Sequence, residues 1–179
     1  TTYYADGHPQ KDKLLKKWRE SSEALLQKFE FSAEEIQDLL DKVLELDARI
    51  AKVVLSREES SEYAKLYHPY EWEDFKALAP NLPLDAIFTQ LIGQIPDQII
   101  VPEERFWQAA NQFYCEETWP LLKAVLIFNA IASAESYLTD EIRVLAGAYR
   151  RALSGTPQAQ DKKKASFYLA QAPFNQAIG

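Results

Sequence analysis

Leu121-Leu-Lys-Ala-Val-Leu-Ile-Phe-Asn-Ala-Ile-Ala-Ser-Ala134 runs directly into Glu135-Ser-Tyr-Leu-Thr-Asp-Glu-Ile-Arg-Val-Leu-Ala-Gly-Ala-Tyr-Arg-Arg-Ala-Leu-Ser-Gly155, and these residues decide the fold. The first part follows Pro120, a residue favoured at the first helical position because its missing N–H has no partner there anyway. It is apolar nearly all the way round, the pattern of a helix buried on most faces. It is too short, and too interrupted by Lys123, Asn129 and Ser133, to span a bilayer. The pattern then changes. Leu138, Ile142, Leu145, Tyr149 and Leu153 recur at three- and four-residue steps, which places them on one face of a helix. Asp140 and Glu141 stand at its start and Arg150 and Arg151 near its end, as the helix dipole prefers. Gly155 supplies a left-handed stop, and Pro157 follows. The expectation is a buried helix feeding an amphipathic one, with a break near residues 133–136.

Working outward, composition agrees with an all-helical reading. The chain has 179 residues, enough for one domain with a real core. Five glycines in that length favour helices over a turn-rich β architecture. A formal charge of −7 argues against nucleic acid as a partner, because phosphate contacts need a basic surface. The sequence shows no apolar run long enough for a membrane span and no secretory leader, so no membrane partner is expected. The lone Cys115 has no internal disulfide partner, which is compatible with a reducing compartment. The chain contains no Met, and Asn175-Gln-Ala-Ile-Gly179 reads as a helix cut short. The expectation is therefore a piece of a longer polypeptide.

Earlier segments carry the same helical signature. After Tyr3-Tyr4 and the turn residues Asp-Gly-His-Pro, a helix is expected from about Gln10, with Leu14, Leu15, Trp18, Leu25, Leu26 and Phe29 inward and Ser22 filling one step. Ser32 and Glu35 form a capping box, and Phe31 and Ile36 are placed as a hydrophobic staple. Ile36, Leu39, Leu40, Val43, Leu46, Ile50, Val53 and Val54 continue that helix, with Glu45 and Arg49 as a pair on the wet side. Residues 57–63 read as a connector or short helix, and residues 67–70 as a break around Pro69. A short helix over 71–79 turns Trp72, Phe75 and Leu78 inward. Another carries Leu84, Ile87, Phe88, Leu91, Ile92 and Ile95 as its apolar stripe and ends at Pro96. Only Gln98-Ile-Ile-Val101 has β character, as an extended crossing or one strand of a small pair. Pro102 opens a helix with Phe106, Trp107, Ala110, Phe113 and Tyr114 inward. A last segment from Gln158 presents Lys162-Lys-Lys164 to water. The fold expected is all-α, a multi-helix bundle-like lobe over residues 1–179 as a single domain, with at most one short extended segment near Gln98–Val101.

Chemistry is harder to find. His8 and His68 lie far apart and sit in no HExxH and in no cysteine–histidine cluster of metal-ligand spacing, so each reads as a loop histidine with a local hydrogen bond. Cys115, beside Glu116, reads as a packing residue. Adjacent acidic pairs such as Glu34–Glu35, Glu103–Glu104 and Glu116–Glu117 point about 100° apart on a helix, so they form no dyad. The four tryptophans fall in or beside apolar stripes and read as core. No phosphate-binding glycine motif or nucleophile elbow is present. The residues name no catalytic, cofactor-binding or metal-ligating position.

Several short stretches resemble the neprilysin-like zinc metallopeptidases, in particular the bacterial oligopeptidase-O type. Tyr3-Tyr4 matches a tyrosine pair of that family. Leu46-Asp-Ala-Arg-Ile50-Ala51 is similar to its Leu-Glu-x-x-Ile-Ala helix, and Leu66-Tyr67-His68 stands where relatives read Leu-Tyr-Asn. Ala148-Tyr-Arg-Arg-Ala-Leu-Ser-Gly155 is similar to its aromatic-Arg/Lys-x-Leu-x-Gly stretch and is the most specific piece. Asn175-Gln-Ala-Ile-Gly179 resembles Asn-Ala-hydrophobic-Gly. Extracellular relatives carry a cysteine near Ala165–Ser166 that is missing here, and an arginine usual in that region is replaced among Lys162–Lys164.

The resemblance implies a non-catalytic, N-terminal helical lobe of a zinc metalloendopeptidase that hydrolyses oligopeptides. Such a lobe caps the catalytic lobe of the same polypeptide and restricts access to the active-site chamber. It implies zinc in the parent enzyme with its ligands outside this chain, no cofactor in the chain itself, and a bacterial, cytoplasmic location. It also implies an apolar surface left uncovered when the chain stands alone, which would make self-association unsurprising. Rival readings are a freestanding helical module that binds a partner helix, and a small enzyme using His8 or His68 as base.

Overall fold

The computed structural model describes residues 11–156 and 158–178. Expectations for Tyr3, Tyr4 and His8, for Pro157 and for Gly179 fall outside the described residues. Among those residues the chain forms α1 (Lys11–Leu26), α2 (Ala33–Ala51), α3 (Arg57–Ser61), β1 (Pro69–Glu71), α4 (Trp72–Leu78), α5 (Leu84–Ile92), β2 (Gln98–Ile100), α6 (Glu104–Ala109), α7 (Trp119–Ala134), α8 (Asp140–Ala146), α9 (Ala148–Ser154) and α10 (Lys162–Ile178). The all-α class holds. One extended segment was expected and two are present, because Gln98–Ile100 pairs antiparallel with Pro69–Glu71 in the register Pro69↔Ile100, Tyr70↔Ile99 and Glu71↔Gln98. A two-stranded sheet is all edge, which is where a strand tolerates proline.

The described residues divide into two compact units. Residue 11 with residues 41–125 makes up one, and residues 12–40 with the described residues from 126 onward make up the other. Both α2 and α7 run through the division.

The first unit is built on an aromatic core. Trp72, Phe75, Ala79, Leu84, Val101 and Ala110 are buried together, with Phe88, Ile99 and Trp107 packed against them. Ring centroids of Trp72 and Phe88, and of Phe75 and Trp107, lie 4.8 Å apart in edge-to-face pairs, the geometry that aromatic quadrupoles favour. The Trp72 indole N–H donates to Asp85 Oδ1 at 2.6 Å, and Lys76 Nζ stands 3.2 Å from Asp85 Oδ2. That carboxylate ties α4 to α5 and gives the buried indole its partner. A second cluster joins Leu46 of α2, Ala109, Phe113 and Leu121, with Phe106 stacked on Phe113. Ser56 and Glu59 make a capping box at the start of α3, and Glu59 also accepts from Arg105 at 2.9 Å. The segment over 57–63, open between connector and helix in the sequence, is thus a capped helix followed by a short 3₁₀ turn.

In the second unit, Leu25, Leu26, Ile36, Leu39 and Leu40 are buried, and Trp18 packs on Phe128 with centroids 5.4 Å apart. The capping box at α2 is as expected: the Ser32 N–H donates to Glu35 Oε2 at 2.8 Å, and the Glu35 N–H donates to Ser32 Oγ at 3.3 Å. Glu45 and Arg49, further along α2, do form their ion pair. α1 ends in a 3₁₀ turn over Gln27–Phe29, closed by Glu30 at a left-handed φ of 62°.

Three expectations about burial fail. On α7 only Leu121 and Ala124 are buried, while Trp119 and Leu126 are 55% and 58% exposed. A helix apolar on every side needs neighbours on every side, and within this chain only one strip of α7 is fully covered. On α5 only Leu84 is buried, and Ile87, Leu91, Ile92 and Ile95 face outward. Tyr114 is exposed rather than inward, because the helix begun at Glu104 tightens into 3₁₀ at Ala110 and changes its period.

The amphipathic stretch 138–153 is also not one helix. A 3₁₀ turn at Glu135–Tyr137 and an extended Leu138 provide the expected break, and Thr139 caps α8 by accepting from the Ile142 N–H. α8 then stops at Gly147 and α9 begins at Ala148. Gly155 closes α9 in the left-handed conformation, as expected.

Candidate functional site

The sequence named no catalytic set, and the structure places its histidine and cysteine apart from any such arrangement. His68, half-buried, precedes β1. Its N–H donates to the Leu66 carbonyl and its carbonyl accepts from the Val101 N–H, at 3.2 and 2.9 Å. The ring Nδ1 is buried without a protein partner. The local bonds expected of this residue are therefore made by its main chain, not its imidazole. Cys115 Sγ lies 3.3 Å from Thr118 Oγ1 and 3.8 Å from the Gln112 carbonyl. The thiol helps cap the 3₁₀ turn at Glu116–Thr118. A hydrogen bond with Cys115, then one from its own backbone, holds the Glu117 carboxyl below the usual range. Among the described residues no group of three or more His, Cys, Asp or Glu side chains is placed to hold a metal ion.

What the structure does assemble lies in the second unit, around Ala148–Gly155. A groove of about 610 Å³ is lined by Glu135, Arg143, Arg150, Arg151 and Ser154, with Gln160 and Tyr168 among its other walls. Its arginines are held in place from within. Arg143 pairs with Asp140 at 2.7 Å and donates to the Gln160 carbonyl at 2.9 Å. Arg151 reaches back over the α8–α9 junction and donates to the Val144 carbonyl at 2.7 Å. Gly147 makes that reach possible: a Cβ there would stand 2.6 Å from Arg151 Nη1. The guanidinium therefore fills the space beside a residue without a side chain and takes up a carbonyl that the helix break leaves open. Burial pushes the Glu135 carboxyl up, opposed by the charges of Arg150 and Arg151.

This groove has hydrogen-bond donors, a cationic wall and an aromatic edge. Among the described residues that line it there is no metal-ligand cluster. Sequence reasoning missed it because its walls come from several successive elements between Glu135 and Ala172, whose mutual placement no periodicity shows. The one local signal was the pair Arg150-Arg151 just before the Gly155 stop, read there only as a dipole partner.

Comparisons with known proteins cover the whole chain. A family model for an N-terminal region, described as Peptidase family M13, matches residues 1–179. A protein of Streptococcus gordonii named "Putative zinc metalloproteinase in scaA 5'region" is 70% identical over 179 residues, all of this chain and 32% of that protein. The "Neutral endopeptidase" of Lactococcus lactis subsp. cremoris is 34% identical over the full chain, which is 28% of its length. Among solved structures, PEPO from Lactobacillus rhamnosis HN001 superposes with a TM-score of 0.84 at 23% identity, over 98% of this chain and 28% of that one. The Mycobacterium tuberculosis zinc metalloprotease ZMP1 in its open state gives 0.81 at 14% identity, over 99% and 28%. At those identities the two structures speak to the fold alone. The chain spans about a third or less of the length of the relatives it matches. With the sequence match unbroken from Thr1 to Gly179, the chain belongs to the neprilysin-like peptidase family M13, as the N-terminal region of its members.

Proposed function

We propose that this chain is a helical, non-catalytic lobe of a bacterial, cytoplasmic, zinc-dependent endopeptidase that cleaves oligopeptides. In this reading the lobe closes over a catalytic lobe of the same polypeptide and limits which substrates reach the active-site chamber. One observation carries it: the family match takes in every residue of the chain, yet that span is only 28–32% of the relatives' lengths. Relatives named as a zinc metalloproteinase and as neutral endopeptidases support zinc-assisted peptide hydrolysis in the parent enzyme. In this reading the residues of this chain do not supply the ligands. The sequence has no HExxH, and the described residues offer no metal cluster. Zinc is therefore assigned to residues outside the chain, where it would polarise the scissile carbonyl and its bound water. What this chain contributes is a wall. Helices α4 and α5, packed on the aromatic core and tied to each other through Asp85, form the scaffold of that wall. The lone Cys115 is consistent with the reducing compartment proposed.

The test uses the full-length protein with a ladder of peptides of increasing length and one unfolded protein. Cleavage should fall steeply beyond short peptides and be abolished by a chelator. Equal rates on the unfolded protein would overturn the filtering role. Activity that survives chelation would overturn the assignment of zinc.

A further inference from the structure

α5 is anchored on one side only. Leu84 is 2% exposed and Phe88 packs with it against the aromatic core of the first unit. Along the same helix and the turn after it, Ile87, Leu91, Ile92 and Ile95 are 38%, 73%, 57% and 47% exposed. Gly93, in the left-handed conformation at φ 79°, ends the helix and turns the chain so that Ile95 also faces outward. From Ala86 to Pro96 the sequence holds no charged residue, and its exposed polar groups are the neutral Thr89, Gln90 and Gln94. A helix made to face water carries lysine and glutamate on its outer side. Exposed apolar side chains grouped in this way, rather than scattered singly, mark a contact surface.

We propose that the outer face of α5, through Ile95, is a docking surface for the remainder of the same polypeptide, and that the segment seated on it is apolar and uncharged. The proposal rests on the lobe reading given above. Two observations select this occupant. The relatives continue for more than twice the length of this chain in the same polypeptide, so a covering segment is tethered to the surface and needs no association from solution. The face also offers no charge for an ionic partner, so only an apolar contact makes use of it. Tyr70 and Asp85 show how the neighbouring polar groups are already engaged inside the unit: the Tyr70 hydroxyl is hydrogen-bonded to Glu104, and Asp85 is held by Trp72 and Lys76. The one charge on α5, Asp85, is thus already paired within the unit, while Ile87, Leu91, Ile92 and Ile95 are left open.

Cysteine labelling of the full-length protein tests this. On a background with native cysteines, Cys115 included, replaced by serine, Leu91→Cys and Ile92→Cys are compared with Glu58→Cys, an exposed position on α3. Circular dichroism confirms that each variant is folded. Maleimide should react at least tenfold more slowly at positions 91 and 92 than at 58, at any protein concentration. Equal rates would overturn the proposal. So would protection lost on dilution, which assigns the face to a second copy, or protection that appears only with anionic phosphatidylglycerol vesicles, which assigns it to a membrane surface. The activity measured on the same samples separates the two readings. A chelator-sensitive peptidase that labels equally at all three positions leaves the lobe reading standing and removes this one. Protection without peptidase activity does the reverse.

Discussion

Phe75 is the side chain whose loss the first unit should tolerate least. It is fully buried, and its ring centroid lies 4.8 Å from Trp107, 5.6 Å from Trp72 and 6.1 Å from Phe88. Phe75→Ala removes the transfer free energy of the ring and leaves a cavity, together about 3–5 kcal/mol. Three ring pairs, each worth roughly 0.5–1.5 kcal/mol beyond area burial, put this site at the top of that range, at about 4–5 kcal/mol. Native domains are stable by only about 5–15 kcal/mol, so most of the margin should disappear. Urea titration followed by tryptophan emission is the direct assay, because Trp72 and Trp107 both pack against the ring. Ile87→Ala is the comparison. It truncates an apolar residue of α5 that is 38% exposed, and it should cost less than about 1 kcal/mol. If Phe75→Ala stays within about 1 kcal/mol of the parent, or if Ile87→Ala costs as much, the placement of the core on the inner side of α4 and α5 is wrong.

Other outcomes follow from single contacts. The Trp72 indole N–H and then Lys76 hold the Asp85 carboxyl below its ordinary range, so its contribution is present above the unfolded pKa and is lost as pH falls through the lowered folded value; urea midpoints across the acid range should flatten in Asp85→Asn, and parallel curves would reject that assignment. Ser32→Ala should cost about 1 kcal/mol of stability, read as a lower thermal midpoint by circular dichroism, and should also relax the depressed Glu35 carboxyl, which owes its shift to the Ser32 backbone and hydroxyl. Gly155→Ala places a Cβ in open space but at φ 66°, so it should cost about 1–2 kcal/mol for the left-handed backbone alone. Gly147→Ala has no such backbone penalty and should destabilise through Arg151 instead; combined with Arg151→Ala its cost should largely vanish, and strict additivity in that double-mutant cycle would count against the clamp.

Much of the fold could be read from residues in advance, and the failures share a cause. The Ser32–Glu35 box and the Gly155 stop are local devices, complete within four residues, and both appear as expected. The extended character of Gln98–Ile100 was visible because three β-favouring residues sit together. Its partner was not, since Pro69 reads as a break and a three-residue strand carries no period. The split at Gly147 was hidden by Leu145 and Tyr149, whose four-residue spacing continues across it. Periodicity shows which side of a helix is apolar but not what lies against it. For that reason α5 and α7 were read as buried, and the structure leaves much of each uncovered. The groove around Arg150 and Arg151 was beyond reach for another reason: its geometry depends on where Glu135 and Tyr168 come to lie, and no local pattern encodes that.

The division of the chain has a consequence for the order in which it folds. Apart from residue 11, the described part of the first unit is continuous from residue 41 to 125, whereas the second is assembled from residues on both sides of that stretch. During synthesis α1 emerges early, but Trp18 waits for Phe128, which leaves the ribosome only after the whole intervening segment. The inserted unit has its core partners first and can collapse around Phe75 while α1 has only the first half of α2 beside it and still lacks Phe128. Its collapse then shortens the effective loop that must close when α7 arrives, lowering the entropy cost of bringing the two flanking segments together. The two helices that run through the division, α2 and α7, are therefore where a vectorial assembly line passes from its first product to its second. Pulse-labelled nascent chains stalled just as residue 125 clears the exit tunnel should already protect α4 from protease while Trp18 still lacks Phe128.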